Sequence, residues 1–263
     1  MNSYKWNAKE YSQFSSEQEK WARTTIEKLK LNKGENVLDV GCGDARVTAE
    51  IAKQVYLGSV IGVDSSQSMV DLAGKRFSGS NYSNLSFMCV DARKLNFGNQ
   101  FDVVTSNAVL HWIDDHISVL KGIYKALKPG GRVILQMGGK GNAAEIISVA
   151  EEVLNKHDWK KYFNEFKFPY YFFSVVEYEK FISQSGFSSA KIELIDKDMQ
   201  HNGEEKLAGW IRTTWLPYTQ RVPENLREDF IKEIIDNYIK KYPPDNDGII
   251  HVGMKRFIVE TTK

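Results

Sequence analysis

Apolar residues follow two different spacings along the first half of the chain. Short, mainly apolar runs are typical of strands that are buried on both faces, as in a parallel sheet. Between these runs, apolar residues return every three or four positions, as on one face of an amphipathic helix. This alternation of strands and helices predicts an α/β domain. The five apolar runs lie at residues 37–40, 60–63, 85–90, 101–105 and 133–137.

The second half of the chain has a different character. Aromatic residues are crowded into residues 159–173, a density that indicates a protein core, a substrate-facing wall or a membrane contact. Helical spacing predominates in 143–157 and again in 202–244. Two later apolar segments, 190–195 and 249–261, predict the final strands, so the helical stretches between them indicate insertions into a sheet.

Several helix starts can be read from polar residues. Ser16 with Glu19, and Ser174 with Glu177, have the spacing of a capping box, in which serine and glutamate satisfy backbone N–H groups reciprocally. Ser66 follows the second predicted strand, and its hydroxyl is expected to cap the next helix.

The stretch VLDVGCGDARVT, residues 37–48, predicts a strand that breaks into a glycine turn and then a helix. Gly41 and Gly43 allow a tight turn and a close approach of the backbone to a ligand. A phosphate-binding P-loop would need Lys followed by Ser or Thr after the last glycine, and this chain has Arg46 and Val47 later in the loop. A dinucleotide loop would place its last small residue one position beyond Ala45. The loop therefore predicts a nucleotide-class ligand of another kind.

Two carboxylates narrow the ligand further. Asp39 precedes the glycines, where it would repel a pyrophosphate but attract a cationic group. Asp64 ends the second apolar run, about twenty residues after the loop, where a carboxylate accepts ribose hydroxyls. Together they predict an adenosine that carries a positively charged amino acid.

Composition sets the bounds on other functions. The 263 residues are 42% hydrophobic and 26% charged, which is typical of a globular domain with an appendage. A net charge of +1 argues against nucleic acid or anionic membrane as a bulk partner. Two cysteines do not suggest a disulfide framework, and no apolar run approaches the ~20 residues of a membrane span. We expect a cytoplasmic protein without stable membrane insertion.

Five motifs occur in a fixed order. They are VLDVGCGDARVT, VIGVDSSQSMV, CVDARKL, FDVVTSNAVLHWI and LKPGGRVILQM. This series resembles the class I S-adenosylmethionine-dependent methyltransferases. The resemblance implies a Rossmann-like fold with a seven-stranded, mostly parallel sheet and an antiparallel last strand. It also implies S-adenosylmethionine as cofactor and S-adenosylhomocysteine as product. The one departure is Ala45, where most of the family has a third glycine.

The same resemblance assigns roles to residues at the strand ends. It implies that Asp91 accepts the adenine amino group and that the Ala92 N–H reaches a ring nitrogen, although Asp91 would also suit a simple turn. Met69 would pack on the adenine or in the core. Asn107, after the fourth strand, is expected to line the sulfonium site. The remaining predicted cofactor residues are Asp39, Gly41, Gly43, Asp64 and Ser65. No metal site is predicted.

Segments outside these motifs narrow the resemblance. WNAKEYSQFSSEQ, GWIRTTWLPY and KRFIVETT resemble the trans-aconitate methyltransferase group of small-acid O-methyltransferases, so the likeness covers almost the whole chain. In that group the N-terminal segment closes over cofactor and substrate. Tyr11 and Gln18 are therefore candidates for contact with the methionine end or the substrate, and plain packing is the alternative for the aromatic residues nearby.

The predicted organisation is one methyltransferase domain over residues 1–263. An N-terminal lid would occupy 1–30, and the cofactor core would span about 31–140. The core's last strands are expected near 190–198 and 249–261. A helical cap would come from insertions at about 142–174 and 199–246.

The chemistry of methyl transfer suggests the acceptor. A carboxylate is already ionised at neutral pH and needs no base, whereas a phenol, amine or carbon acid would benefit from one. Arg212 is the candidate for holding a substrate carboxylate, because arginine binds carboxylates bidentately; a surface charge is the alternative. His111 is the candidate base for the other acceptors. The predicted substrate-binding residues are Trp112, Trp210, Trp215 and Tyr218.

Other functions remain open at this point. Methyl-ester formation on malonyl-acyl carrier protein would need a basic docking patch, and Lys160-Lys161 and Lys240-Lys241 are too ordinary to indicate one. An RNA or protein methyltransferase is disfavoured by the neutral charge and the lack of an Asn-Pro-Pro-Tyr motif. A silent cofactor-binding module is the remaining alternative. The preferred prediction is a small-molecule carboxyl O-methyltransferase.

Overall fold

A computed structural model describes residues 16–263 of the protein, with side chains from Arg23 onward apart from that of Asn81. Within these residues, no helix combines the length and apolar character that crossing a bilayer requires.

Seven strands form one sheet. Their bounds are β1 Asn36–Val40, β2 Ser59–Asp64, β3 Leu85–Cys89, β4 Phe101–Asn107, β5 Leu127–Gly138, β6 Ala190–Asn202 and β7 Ile249–Thr262. The order across the sheet is β3-β2-β1-β4-β5-β7-β6. This order reverses direction beside β1, and such a switch point is where open α/β sheets bind ligands.

The strand directions confirm the predicted fold class. β1 runs parallel to β2 and β4, with Val37 opposite both Val60 and Val103. The β2–β3 and β4–β5 pairs are also parallel. β7 runs antiparallel to β5, with Arg132 opposite Thr262. The carboxyl ends of β1 to β4, where the candidate residues lie, therefore meet at one edge of the sheet.

Helices connect these strands. Their bounds are α1 Ser16–Leu29, α2 Arg46–Gln54, α3 Gln67–Arg76, α4 His116–Ala126, α5 Ala144–Leu154, α6 His157–Lys160, α7 Val175–Gln184, α8 Glu204–Thr214, α9 Leu216–Thr219 and α10 Arg227–Lys241. Short 3-10 turns occupy Ser80–Tyr82, Ala92–Lys94, Leu110–Trp112 and Glu224–Leu226.

The chain divides into two compact units. The core unit consists of residues 18–140, 170–195 and 256–263. The cap unit contains residues 141–169 and 196–255 of the described chain. The long strands β6 and β7 each contribute residues to both units.

The core unit has apolar clusters on both faces of its sheet. Val37 and Val103 pack with Ile51 of α2 in one cluster, whereas Leu38 and Val104 belong to the other. Neighbouring residues of a strand point to opposite faces, so this division follows from β1 and β4 being covered on both sides. Short, mainly apolar runs were the sequence signal for such strands.

The cap unit has an aromatic core of its own. The Phe230 ring lies 5.1 Å from that of Trp159 and stacks on Phe163 at 5.4 Å between centroids. The Trp159 indole N–H donates to Glu233 at 2.6 Å, so the polar edge of this buried ring is satisfied. The N-terminal part of the aromatic stretch 159–173 is therefore a protein core, while its residues 170–173 lie in the core unit.

Some local predictions were correct and others were wrong. The capping box of Ser174 and Glu177 is present in both directions and begins α7. Ser66 stands at the N-cap of α3, but its hydroxyl makes no cap hydrogen bond and bonds to the Ser68 hydroxyl instead. β6 extends to Asn202, well beyond the apolar segment that predicted it, because its later residues alternate without a continuous apolar run.

Candidate cofactor and methyl-transfer site

The glycine loop connects β1 to α2 in a conformation that depends on its small residues. Gly41 has φ +82°, and a Cβ there would collide with the Val109 side chain. Gly43 has φ +53°, and a Cβ there would meet nothing within 4 Å, so this face of the loop is open to a ligand. Ala45, at the N-cap of α2, is also left-handed with φ 61°. An alanine in that region is strained, and glycine is favoured there.

Asp64 holds the loop in place. One carboxylate oxygen accepts the Gly43 N–H at 3.0 Å and the other accepts the Ser66 N–H at 2.9 Å. Each oxygen has a second lone pair, so the carboxylate can still accept ribose hydroxyls. Burial raises the pKa of Asp64, and the backbone N–H groups oppose that rise. Ser65, beside it, is exposed.

Asp39 is buried beneath the loop. Its carboxylate accepts the Thr48 hydroxyl at 2.6 Å. Burial and the neighbouring Asp64 raise the pKa of Asp39 to about 6, in spite of that hydrogen bond. Asp44 has a different environment, since Arg46 and Arg76 approach it at 2.9 and 2.8 Å.

This charge distribution tests whether S-adenosylmethionine fits. Among the described side chains, no lysine or arginine forms an ion pair with Asp39 or Asp64. Two neighbouring carboxylates at an open glycine turn therefore lack a counter-charge, which a cationic amino-acid group would supply. The residues present fit a ligand that has ribose hydroxyls and a positive charge.

The predicted adenine-binding segment begins after β3. Asp91 accepts the Arg93 backbone N–H at 3.0 Å and its guanidinium at 2.7 Å. This hydrogen bonding lowers the pKa of Asp91 and keeps it ionised as an acceptor. Arg93 also pairs with Asp114 at 2.9 Å. Ala92 is buried at the start of the 3-10 turn. Their contact with adenine stays a prediction.

Met69 is likewise buried, with 6% of its surface exposed, on the first turn of α3. The structure does not separate core packing from an adenine contact, so its role also stays a prediction.

At the end of β4, a line of hydrogen bonds fixes Asn107. The Gln136 Nε2–H donates to Asn107 Oδ1 at 2.6 Å, and the Thr25 hydroxyl donates to Gln136 Oε1 at 2.8 Å. Gln136 and Thr25 are both buried. Ala108 then adopts φ 58°, a strained value for alanine at the point where the chain leaves the strand.

His111 lies on the 3-10 turn that follows. Its Nδ1 accepts the Gly138 N–H at 3.2 Å, so a neutral ring carries its proton on Nε2. Burial, with a smaller effect of His116, lowers the pKa of His111 to about 3. The ring is therefore neutral at physiological pH, and its unprotonated nitrogen is already engaged by the backbone. This environment does not suit a general base.

Aromatic rings surround His111 and Trp112. Tyr170 lies 6.2 Å from His111 and 4.9 Å from Trp112 between ring centroids. Phe172 stacks on Tyr170 at 5.5 Å. The Tyr171 N–H donates to the His111 carbonyl at 2.8 Å. Residues 170–172 thus line the turn that bears His111. Trp112 belongs to the same turn, and its contact with a methyl acceptor stays a prediction.

The other predicted substrate residues lie in the cap unit. Three of them, Trp210, Trp215 and Tyr218, are buried and pack on one another. The ring centroids of Trp210 and Trp215 lie 5.6 Å apart, and those of Trp215 and Tyr218 lie 5.2 Å apart. Arg212 already holds a carboxylate of its own chain, because two of its nitrogens bond Glu228 at 2.8 and 2.6 Å. Its binding of a substrate carboxylate stays a prediction that would require exchange of Glu228.

The N-terminal candidates can be described only in part. Gln18 lies in helix α1, while Tyr11 is outside the described residues. The predicted lid therefore stays a prediction.

Sequence reasoning missed several residues that shape this site. Gln136 carries the one polar side chain in the buried run from Val133 to Met137, and a polar residue in such a run was the available signal. His116 was also missed, although it is buried and bonds the Leu110 carbonyl at 2.8 Å, which fixes the turn that precedes it. Thr25 and Thr48 gave no signal, because threonine is ordinary in a helix facing a sheet.

Comparison with known proteins agrees with this geometry. Residues 38–135 match the family described as a methyltransferase domain. This match covers the glycine loop, both acidic residues and the end of β4. The protein is an S-adenosylmethionine-dependent methyltransferase with the fold of the class I enzymes, as the sequence predicted.

Relatives extend the similarity to the whole chain. The chain is 26% identical over 268 residues to trans-aconitate 2-methyltransferase of Rhizobium etli, covering 98% of this chain and 99% of the relative. It is 37% identical over 150 residues to demethylmenaquinone methyltransferase of Lactobacillus johnsonii, covering 56% of this chain and 57% of the relative.

A solved structure shows the same fold. The YcgJ protein from Bacillus subtilis superimposes with a TM-score of 0.66 at 18% identity, covering 93% of this chain and 98% of that one.

Proposed function

We propose that the protein methylates a carboxylate oxygen of a small organic acid, using S-adenosylmethionine. The environment of His111 carries this proposal. A pKa of about 3 and an Nδ1 that already accepts the Gly138 N–H leave the ring with almost no capacity to accept a proton at neutral pH. An acceptor that needs deprotonation would be poorly served here, whereas a carboxylate arrives ionised.

The reaction then needs no proton transfer. S-Adenosylmethionine supplies a methyl group on a sulfonium, from which an oxygen nucleophile displaces sulfur in line. The O–C bond forms as the C–S bond breaks, and the electron pair remains on sulfur. The task of this chain is to orient the two reactants and exclude water. Asp39 and Asp64 are assigned to the cofactor, while Trp112, Tyr170 and Phe172 shield the turn at which the acceptor is bound.

The relatives support the acid as substrate class. The trans-aconitate 2-methyltransferases are similar over almost the full length of the chain, including the cap unit. Demethylmenaquinone methyltransferase and malonyl-acyl carrier protein O-methyltransferase are similar over about half of it. The similarity to enzymes named for trans-aconitate thus includes the cap unit, which supports a small acid as the substrate. We also propose a cytoplasmic location, where such acids are available.

The direct test is a transfer assay with labelled S-adenosylmethionine. Trans-aconitate, other small carboxylic acids, fatty acids and phenols serve as acceptors, and products are read by mass and by lability to base. A base-labile methyl ester is the expected product. The His111→Asn variant, which keeps a side-chain N–H donor without a basic nitrogen, is expected to retain turnover within about tenfold. A base-stable product, or loss of more than about a thousandfold in that variant, would contradict the proposal.

A further inference from the structure

Where the chain leaves β4, the Asn107 side chain presents hydrogen-bond donors. Contacts within the protein determine which end of this amide faces outward. An asparagine amide offers one acceptor oxygen and two N–H donors, and either end can face a ligand. In Asn107 the oxygen faces the Gln136 side chain, whose Nε2–H donates to it at 2.6 Å, so the Nδ2 end of the planar amide faces away from Gln136. Among the described residues, nothing accepts a hydrogen bond from Asn107 Nδ2. The donors of this amide are therefore left for a ligand.

Gln136 is itself held in one orientation. The Thr25 hydroxyl donates to its Oε1 at 2.8 Å, which leaves Nε2 to face Asn107. Both bonds are inside the core unit, and Thr25, Gln136 and the Asn107 oxygen form a single directed line from α1 to the end of β4. Reversing the Asn107 amide alone would place its Nδ2–H donors against the Gln136 Nε2–H donors, and reversing Gln136 alone would place Oε1 against the Asn107 oxygen, so neither amide is free to reverse by itself.

His111 shows the same pattern four residues later. Its acceptor nitrogen takes the Gly138 N–H, and among the described residues nothing accepts from Nε2. Both bonds tie the exit of β4 to β5, through the Gln136 side chain and the Gly138 backbone. In each case the protein satisfies the acceptor atom and leaves the donor atom unused.

We propose that Gln136, oriented by Thr25, is a positioning residue that turns Asn107 into a hydrogen-bond donor, so that Asn107 and His111 together recognise an anionic, oxygen-bearing methyl acceptor. This inference rests on the proposed function and deepens it. It assigns Asn107 to the acceptor rather than to the sulfonium, because a positively charged sulfur gains nothing from N–H donors.

The first test uses binding without turnover. Wild-type protein saturated with S-adenosylhomocysteine is titrated by calorimetry with trans-aconitate, or with whichever acceptor the transfer assay identifies. Gln136→Glu removes the donor to Asn107, so the Asn107 amide is expected to reverse and turn its oxygen to the acceptor. We expect acceptor binding to weaken at least about tenfold and S-adenosylhomocysteine binding to change less than about twofold.

Gln136→Met gives a second, uncharged variant of similar size, in case the buried carboxylate prevents folding. It leaves Asn107 without a partner, and a loss of about three- to tenfold in acceptor affinity is expected. Thr25→Val is expected to have a smaller effect in the same direction, because it acts through Gln136.

A double-mutant cycle separates positioning from general damage. If Gln136 acts through Asn107, the effect of Gln136→Met disappears when Asn107 is already alanine. Equal effects of Gln136→Met in both backgrounds, or unchanged acceptor affinity in the single variants, would overturn the inference. These outcomes do not depend on the product being an ester.

The two proposals can also fail separately. An anionic acceptor methylated at a base-stable position would contradict carboxyl methylation but would still agree with Asn107 and His111 as the donors that bind it. A cationic or uncharged methyl acceptor without an oxygen that can accept hydrogen bonds would overturn the assignment of Asn107 and His111 directly.

Discussion

The two ends of the candidate site carry opposite hydrogen-bonding character. At β1 and β2, Asp39 and Asp64 present acceptors, and the structure leaves them without a described ion-pair partner. At β4 and β5, Asn107 and His111 each accept a hydrogen bond, and within the described part of the chain no group accepts one from Asn107 Nδ2 or His111 Nε2. In the proposed reaction, the same sheet edge attracts a cation and hydroxyl groups at one end and an anion at the other.

If the acceptor is the proposed small acid, this difference explains how one fold binds two reactants of opposite charge. The end of the site at β1 and β2, which presents hydrogen-bond acceptors to the cofactor, is built largely from loop backbone and carboxylates close in sequence, as in VLDVGCGDARVT. The donor end depends on contacts between residues that are far apart, such as Thr25 with Gln136, 111 positions away. Cofactor binding is accordingly visible in a short motif, whereas the proposed recognition of the methyl acceptor depends on residues from distant parts of the sequence.

Removing Asp64, at the end of β2, should give the largest effect on cofactor affinity. Asp64→Ala loses two expected hydrogen bonds to ribose, together with the bonds to Gly43 and Ser66 that hold the loop. We expect S-adenosylmethionine affinity to fall by about 2–4 kcal/mol, measured by calorimetry. Asp71→Ala, an exposed carboxylate on neighbouring α3, is the matched control. Equal affinities for wild type and Asp64→Ala would remove Asp64 from the cofactor site.

Asp39 should make cofactor binding sensitive to acid. Its pKa of about 6 means that the carboxylate of the free protein becomes protonated as the pH falls through that value. A neutral Asp39 cannot attract a cation, so S-adenosylmethionine affinity should decrease below about pH 6. Calorimetry across this range should show a flat profile for Asp39→Asn and, at pH 7.5, an affinity about 10- to 100-fold weaker than that of wild type. The same slope in both proteins would place the titrating group elsewhere.

Arg212 offers a test in the cap unit. Arg212→Ala is expected to raise the KM for an acidic acceptor several-fold and to leave S-adenosylmethionine affinity unchanged. Glu228→Gln removes the carboxylate that Arg212 holds at 2.6 Å, and it should lower the KM because the guanidinium loses this ion pair, while the Glu205 carboxylate stays at 3.6 Å. If both variants keep the KM of wild type, Arg212 serves only as an ion pair at the surface, worth no more than about 1 kcal/mol.

The smallest expected effect concerns Ala45. Its left-handed φ of 61° is strained for alanine, so Ala45→Gly should raise the free energy of unfolding by up to about 1 kcal/mol, measured by denaturant titration. The matched control is Ala49→Gly in the helix that follows, where glycine is destabilising by about 1 kcal/mol. Destabilisation of similar size in both variants would show that Ala45 is not strained.

The two carboxylates at β1 and β2, and the mostly parallel sheet with an antiparallel last strand, were predictable from sequence. Asp39, Gly41 and Asp64 lie within or directly after apolar runs, and strand ends in a parallel sheet meet at one edge. The role of each side chain at the donor end was not predictable. Asn107 can donate or accept, and its orientation depends on Gln136, whose own orientation depends on a threonine in α1.

His111 and Arg212 show the same limit for charge. The sequence offered His111 as a base, but a pKa depends on burial and on which ring nitrogen the backbone engages. Arg212 was a candidate clamp by its neighbours in WIRTTW, yet the residue that pairs with it, Glu228, comes from another helix. Local patterns identify the residue type, whereas the fold determines which partner it finds.

The most direct test of the account is the pH dependence of kcat at saturating S-adenosylmethionine and acid, measured between about pH 5 and 9. With an ionised carboxylate as acceptor and a neutral His111 as donor, kcat should be flat through the usual histidine range, for wild type and for His111→Asn. An acid limb near pH 6.5 that is present in wild type and absent from His111→Asn would show that His111 acts as a base and would contradict the account.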